Sequence, residues 1–237
     1  KAHEILQDIA VKVTEKDEKK KRTHRDFEGH WGGFEMGMNN FMGKNYNLDV
    51  GDANRFMEVN SSKSLNVKIN MIEYDFGILP RHLGIVTGLG VEFNDYRLEH
   101  NNNIMKNETG NIVAKTDYPS SLDKSKLSTV YLNVPALLEF QIPTGDSDHP
   151  VYLSGGIIGG LKLGSHTKIV YYEDGQKEKR KNRGDFNLRP IRYGYSVRVG
   201  YRFLRLFANY YPEPLFEKSG DPQIYPYSVG LTLIDFD

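Results

Sequence analysis

The chain of 237 residues contains no cysteine and has no net formal charge at neutral pH. The lack of cysteine excludes a disulfide framework, a thiolate zinc site and a cysteine nucleophile. The balanced charge gives no reason to expect nucleic acid as a partner. The longest charge-free runs, such as "PQIYPYSVGLTLI", have about 13 residues, whereas a membrane-spanning helix needs about 20. The sequence therefore predicts no transmembrane helix, and neither a G-x-S-x-G nor a P-loop motif is present.

What the sequence has instead is alternation. In "RPIRYGYSVRVGYRF" every second residue from Tyr193 to Phe203 is aromatic or aliphatic. The other set of alternate residues starts at Arg192 and includes Arg198 and Arg202. About eight segments along the chain alternate in this way, which predicts β-strands. In "NVKINMIEYDFGI" the phase of the alternation changes, which predicts a bulge or a register change.

The segments between the predicted strands alternate in length. Long segments such as "GKNYNLDVGDANRFMEVNSSK" are followed by short ones such as "LPR". This arrangement predicts an all-β fold, an eight-stranded antiparallel up-and-down transmembrane β-barrel in the outer membrane of a Gram-negative bacterium. Both termini are expected on the periplasmic side and the long loops outside the cell. The predicted domains are a periplasmic segment, residues 1–26, and the barrel, residues 27–237.

The polar face of each strand is expected to line the lumen. A barrel of about eight strands has an interior just wide enough for side chains, and the apolar face then meets lipid. Inward charges need partners, so Arg198 is expected to meet Glu92 or Glu139. The predicted lumen network consists of Glu35, Glu92, Glu139, Lys162, Arg192, Arg198 and Arg202. The alternative, a soluble β-sandwich with basic residues in water, does not explain the alternating segment lengths or the aromatic residues near strand ends.

The first 26 residues differ in character from the rest. Leu6, Ile9, Ala10 and Val13 follow helical spacing, and a charged run, "EKDEKKKRTHR", comes after them. The segment is either an amphipathic helix that docks on the membrane surface or on a partner, or a partly ordered tail.

Three further groups of residues are candidates for chemistry. One is a basic loop that could hold lipopolysaccharide phosphates or be simply solvated, formed by Lys177, Lys179, Arg180, Lys181 and Arg183. In "HRDFEGH", His24, Asp26, Glu28 and His30 form either a metal site or a polar rim. His100 and His166 could serve a lipid acyltransferase, which needs a histidine with serine and aspartate in reach. No local sequence singles these residues out, so the prediction is no enzyme, no metal and no cofactor.

Several segments resemble the PorT-like family of small Gram-negative outer-membrane β-barrels. They are "GHWGGFEMGMNNF", "YLNVPALLEFQIP", "GGIIGGLKLGSHTK" and "LFANYYPEPLFEKSGDPQIYPYSVGLTL". The resemblance covers roughly residues 27–236. It implies the fold and the location, and it carries no catalytic motif over to this chain.

The expected function is that of a non-enzymatic barrel, an accessory or structural subunit of a larger outer-membrane assembly for secretion, insertion or uptake. Its expected partners are outer-membrane lipid, lipopolysaccharide and other outer-membrane or periplasmic proteins, with no nucleic acid. The alternatives are a free-standing barrel whose loops bind surface ligands or lipopolysaccharide, and an outer-membrane lipid-modifying enzyme.

Overall fold

The computed structural model describes residues 27–144 and 150–236. Three short 3-10 turns, Lys44–Tyr46, Asp52–Met57 and Ser61–Lys63, lie between the first two strands, and the other elements are all strands. The strands are β1 (Gly33–Met42), β2 (Leu65–Leu79), β3 (Leu83–Arg97), β4 (Asn103–Lys106), β5 (Ile112–Lys115), β6 (Leu122–Ile142), β7 (Val151–Glu173), β8 (Gln176–Arg183), β9 (Ile191–Tyr201), β10 (Leu204–Tyr210) and β11 (Tyr225–Ile234).

Eight of these strands form a closed ring. Following hydrogen-bonded neighbours, the order is β6-β3-β2-β1-β11-β10-β9-β7, and pairing of β6 with β7 closes the circle. Every pair in the ring is antiparallel, which confirms the predicted all-β antiparallel barrel. β8 lies outside the ring and pairs with β7 alone, and β4 and β5 form a separate hairpin.

The connections between ring strands differ at the two ends of the barrel. The long-connection end carries the segments 43–64, 98–121, 174–190 and 211–224, whereas the tight-turn end carries 80–82, 143–150 and 202–203. Both ends of the described chain, before β1 and after β11, lie at the tight-turn end because β1 runs away from it and β11 runs toward it.

The wall of the barrel is apolar outside and polar inside at the tight-turn half. In β6, Val134 and Leu138 point outward and are about half exposed, whereas Asn133, Glu139 and Gln141 point inward and are buried. A closed barrel pairs all backbone hydrogen-bonding groups of its wall, which is what a bilayer requires. Among the described residues, no helix has the length and apolar character to cross a membrane.

The predicted change of phase in β2 is confirmed. The register of β2 against β3 shifts between Asn70 and Ile72, so that Met71 is an extra residue. Below this bulge the inward positions become Glu73 and Asp75 in place of the even-numbered residues. The bulge therefore lets one strand keep its apolar side chains outward along its whole length.

An apolar cap closes the long-connection end. It draws on all four long connections and on the upper ends of the strands. Its buried residues are Phe41, Val50, Met57, Val59, Tyr96, Leu98, Ile104, Ile112, Leu127, Phe186, Leu188, Leu215, Phe216 and Ile224. The interior of the protein is thus apolar at this end, as in a water-soluble domain.

A short plug, residues 27–32, fills the tight-turn end ahead of β1. Trp31 is fully buried and belongs to a second apolar cluster with Phe27, Val86, Leu137, Ile158 and Tyr211. The backbone N–H of Gly29 donates to Asp75 over 2.9 Å, and that of Trp31 donates to Glu73 over 2.7 Å. The inward carboxylates of β2 therefore anchor the plug.

Candidate functional site: the barrel interior

One charge cluster is centred on Glu35 of β1. The carboxylate of Glu35 accepts a hydrogen bond from Arg198 of β9, lies 3.3 Å from the Lys68 amine and accepts from the Asn70 amide over 2.8 Å. Glu35, Lys68 and Arg198 are all almost fully buried. The Lys68 amine also lies 3.6 Å from the centre of the Phe207 ring. Each charge therefore has an oppositely charged neighbour, as burial in a narrow lumen demands, and the two cations share one acid.

A second cluster is centred on Glu92 of β3. Arg192 of β9 donates to its carboxylate over 2.6 Å, and the Tyr211 hydroxyl donates over 3.0 Å. The guanidinium of Arg192 lies 3.6 Å from the Tyr131 ring centre and 3.8 Å from that of Tyr211, so an aromatic ring is close on two sides. Amides of Asn66, Asn94 and Asn133 donate to the same carboxylate. This cluster joins four strands and the connection after β10 across the lumen.

Glu139 forms the third inward acidic position, near the tight-turn end. Its carboxylate lies 2.6 Å from His30 Nδ1, and the Gln141 amide donates to it over 2.7 Å. The His30 ring stacks on Tyr152 with centroids 4.2 Å apart. The plug is thus bound to the lumen wall by side chains as well as by its backbone.

The structure places most of the sequence-predicted lumen residues inside. Glu35, Glu92, Glu139, Arg192 and Arg198 are buried there. Lys162 lies higher, at the long-connection end, where it contacts Asp185 and donates to the Leu188 carbonyl over 2.8 Å. The hydrogen bond from Lys162 holds the pKa of Asp185 below its usual value.

Two predictions about these charges were wrong. Arg202 does not line the lumen: it is exposed in the turn 202–203 with a φ of 52°, because β9 ends at Tyr201. Arg198 contacts Glu35 instead of Glu92 or Glu139. Glu92 is taken by Arg192, and Glu139 by His30 and Gln141. Alternation assigns a face to a side chain but gives no height along the barrel axis, and the height decides the partner.

Sequence reasoning missed Lys68, the asparagines around the acids and the plug. Lys68 sits between the outward Val67 and Ile69, so the alternation noted for this segment already contained the signal. Nothing in the sequence marked Trp31 as a lumen residue, because it precedes the first strand and lies outside any alternating run.

The predicted basic loop is a strand. Lys177, Lys179, Arg180, Lys181 and Arg183 belong to β8, which continues the β7 hairpin beyond the ring through a turn at Asp174 and Gly175. Its side chains alternate between two faces and are exposed. The alternation of Lys and Arg with Glu178 and Asn182 in this segment is what allows a strand in place of a loop.

The histidines within the described residues do not come together as a metal site. His100 Nε2 lies 2.6 Å from Glu58, while His166 is on the outer face of β7, opposite Ser128 of β6. The Ser128 hydroxyl donates to Asp95. Of "HRDFEGH", only Glu28 and His30 fall within the described residues, and these residues include no group of three or more His, Asp or Glu able to hold a metal. Leu6, Ile9, Ala10 and Val13 lie outside the described residues.

The closed antiparallel ring, its apolar outer wall and its charged, filled interior define an integral outer-membrane β-barrel. Comparison with protein families agrees: the model for the outer membrane protein beta-barrel domain matches residues 28–212. The chain belongs to this family and is an outer-membrane protein. No curated protein and no solved structure matches it.

Proposed function

We propose that the chain is a non-enzymatic, non-conducting barrel that serves as an accessory or structural subunit of a larger outer-membrane assembly. Within the family we assign it to the PorT-like group, on the segments quoted above. The long-connection end faces the outside of the cell and both termini face the periplasm. The observation that carries the proposal is that buried side chains of the described residues cross the barrel interior at three levels.

Three layers of side chains support a closed lumen. The plug fills the tight-turn end, the Glu35 and Glu92 clusters cross the middle, and the apolar cap covers the long-connection end. An ion or solute would have to displace paired buried charges, since Arg192 and Arg198 are each less than 5% exposed. Such pairs are costly to break. A barrel built in this way is suited to a structural task and not to passage of solutes.

The same contacts favour a subunit over an enzyme. The inward charges are engaged with one another. The outward His166 lies beside Ser128 and Asp95, but the Ser128 hydroxyl donates to Asp95 and not to the imidazole, as a hydrolase triad would require. The N-terminal segment, which we propose to be an amphipathic periplasmic helix, would supply a surface for a partner.

Planar bilayer recordings test the closed lumen. The purified protein is expected to give no stable channel of porin size, with a known porin added to the same bilayer as the positive control. Sustained large conductance steps from the purified barrel would contradict the proposal.

Pull-down from native membranes in mild detergent tests the subunit role. The full chain is expected to retain specific partner proteins, and a variant without residues 1–25 is expected to lose them while keeping heat-modifiable migration in gels. If the full chain is recovered alone, the barrel is free-standing. If the deletion prevents folding, the segment belongs to the barrel.

A further inference from the structure

The barrel wall changes character above the apolar band on one side. β6 and β7 have 21 and 23 residues, about twice the length that a strand needs to cross a bilayer. The last outward apolar residues of these strands are Val130 and Leu163, next to the register shift between them. The strands then continue toward the long-connection end, and β8 joins them there.

Apart from Asp95 and Ser128, many outward residues of this upper part are basic. Four basic residues face one another across four neighbouring strands, because Arg97 of β3 is the Cα partner of Lys126, Lys126 of Lys168, and Lys168 of Lys181. One row nearer to the apolar band, His166 pairs with Arg183. We call these six outward residues the basic wall: Arg97, Lys126, His166, Lys168, Lys181 and Arg183.

The acids on this face neutralise little of the charge. Asp95 contacts Lys126 and accepts from the Ser128 hydroxyl, and Asp123 lies 3.5 Å from the Lys177 amine. Like charges directly opposite each other in neighbouring strands are destabilising. Burial and the charges of Lys126, Arg97 and Lys168 lower the pKa of Lys124 beside the row. A positive wall with so few acids is a surface that favours a bound polyanion.

The height of the basic wall identifies the polyanion. The His166 row follows Val130 and Gly164 by two residues and the Lys126 row follows them by four, which is about 7 Å and about 13 Å along a strand. A strand tilt of about 35–45° reduces these distances to about 5 Å and about 10 Å along the membrane normal. The polar headgroup region of a bilayer extends a similar distance, about 5–8 Å, beyond each side of the hydrocarbon core. The lower row therefore stands at headgroup level and the upper row just above it, and both rows face sideways from the barrel wall toward the neighbouring lipids.

We propose that the basic wall binds the phosphate groups of lipopolysaccharide, the phosphorylated lipid of the outer leaflet. The inference rests on the proposed orientation, with the long-connection end outside the cell. The proposed site lies on the side of the barrel, whereas the sequence predicted one at the tip of the β7–β8 hairpin. It also includes Arg97, Lys126 and Lys168. The upper parts of β3, β6, β7 and β8 thus hold the neighbouring lipid on one side of the barrel by charge.

Binding of bisphosphorylated lipid A to the purified barrel in detergent tests the proposal. The double variant K168Q/K181Q is compared with K44Q/K218Q, which removes two exposed lysines from the connections beside β1, β10 and β11, on the other side of the ring from β6 and β7. Two lysines lost at a charged lipid surface are expected to weaken binding by about 10- to 30-fold, whereas the control variant binds as the parent does. Native mass spectrometry counts the bound lipid and titration calorimetry gives the affinity.

Three outcomes would overturn the proposal. They are unchanged affinity in K168Q/K181Q, equal binding of lipid A stripped of its phosphates, and equally tight binding of inorganic phosphate, which would mean a general anion surface. If the double variant fails to fold, the lipid affinity of K181Q alone tests the same prediction. This substitution is expected to spare folding because β8 lies outside the ring. The measurement needs neither conductance nor a protein partner, so it can fail or succeed independently of the proposed function.

Discussion

The two halves of strand β6 have opposite polarity. Toward the tight-turn end its outward side chains, Val134 and Leu138, are apolar, and its inward side chains include the polar Glu139 beside Leu137, which packs in the cluster around the plug. Toward the long-connection end the outward side chain is Lys126, and the inward Leu127 is fully buried in the apolar cap. One continuous strand is therefore built as a membrane protein along half of its length and as a water-soluble protein along the other half.

The difference shows that the surroundings decide which face of a strand is apolar. In hydrocarbon an exposed apolar side chain is favourable and the lumen collects the charges. In water the same chain buries its apolar side chains and exposes its lysines. The inversion occurs at the register shift where Val130 pairs with Gly164 and Tyr131 with Lys162. On this side of the barrel, the shift marks the end of the apolar band toward the long-connection end.

The largest effect is expected from breaking the charged interior. Arg198→Ala leaves Glu35 with Lys68 as its remaining charged partner in a buried site. Loss of one member of a buried ion pair typically costs about 3–5 kcal/mol. Urea unfolding in lipid vesicles should show this loss, with Val197→Leu on the lipid face of the same strand as a nearly silent control. An Arg198→Ala barrel as stable as the parent would mean that this pair does not hold the lumen together.

A corresponding substitution in the long-connection half lies in the apolar cap. Leu127→Ala removes a fully buried side chain from the cluster around Phe41 and Tyr96. Leu→Ala changes in well-packed cores cost about 2–5 kcal/mol. The cap is expected to open before the ring, so protease cleavage in the segments 98–121 and 211–224 should become faster while heat-modifiable migration persists. Simultaneous loss of both signals would show that cap and ring unfold as one unit.

Exchanging polar and apolar residues on the outer face tests where along the wall the membrane ends. Val134→Arg places a charge in the middle of the apolar band and is expected to cost about 2–4 kcal/mol. Lys168→Val makes the reverse exchange on β7 above the band, where surface changes are usually within about 0.5 kcal/mol. Both are read from urea midpoints in vesicles. Equal effects of the two exchanges would place the membrane boundary elsewhere.

The smallest expected effect concerns pH. Burial, together with Lys181, Lys126 and Arg183, lowers the pKa of His166 below its usual 6.5, and Asp95 only partly opposes this. A lowered pKa means that the folded protein binds fewer protons than the unfolded chain, so stability is complete above pH 6.5 and declines as the pH falls below it. His166→Gln should flatten the urea midpoint between pH 7.5 and 5.5. A parent and variant with the same slope would contradict this.

The sequence was sufficient for the ring and for the side of most charges. Alternation placed Arg192 and Arg198 inside, since an inward face repeats every second residue whatever the partner is. The sequence does not reveal the pairing register of the strands or the height of a side chain along the barrel axis. Both depend on which strands pair and by how many residues they are offset. For that reason Arg198 was matched with the wrong acid and Arg202 was assigned to the lumen.

The apolar cap and the basic wall could not be predicted from the sequence either. Both depend on β6 and β7 being longer than the membrane is thick, and alternation alone does not show where along a strand the surroundings change from lipid to water. The plug was missed for a different reason. Trp31 acts through a non-alternating segment that is held by carboxylates of β2, about 40 residues away in the chain.

The pairing of β1 with β11 has a consequence for how the protein is assembled. These strands lie about 190 residues apart, and Gly37 and Gly230 face each other where a Cβ on either would fall 2.2–2.3 Å from a backbone carbonyl oxygen. Contacts between such distant segments form late, because chain closure over a long loop costs entropy before any contact forms. Glu35 lies on β1, so the first strand can complete its place in the ring only after the last strand has arrived. We therefore expect Gly37→Ala and Gly230→Ala to force this last-formed seam apart, lowering the final stability and speeding unfolding of the barrel more than they slow its insertion.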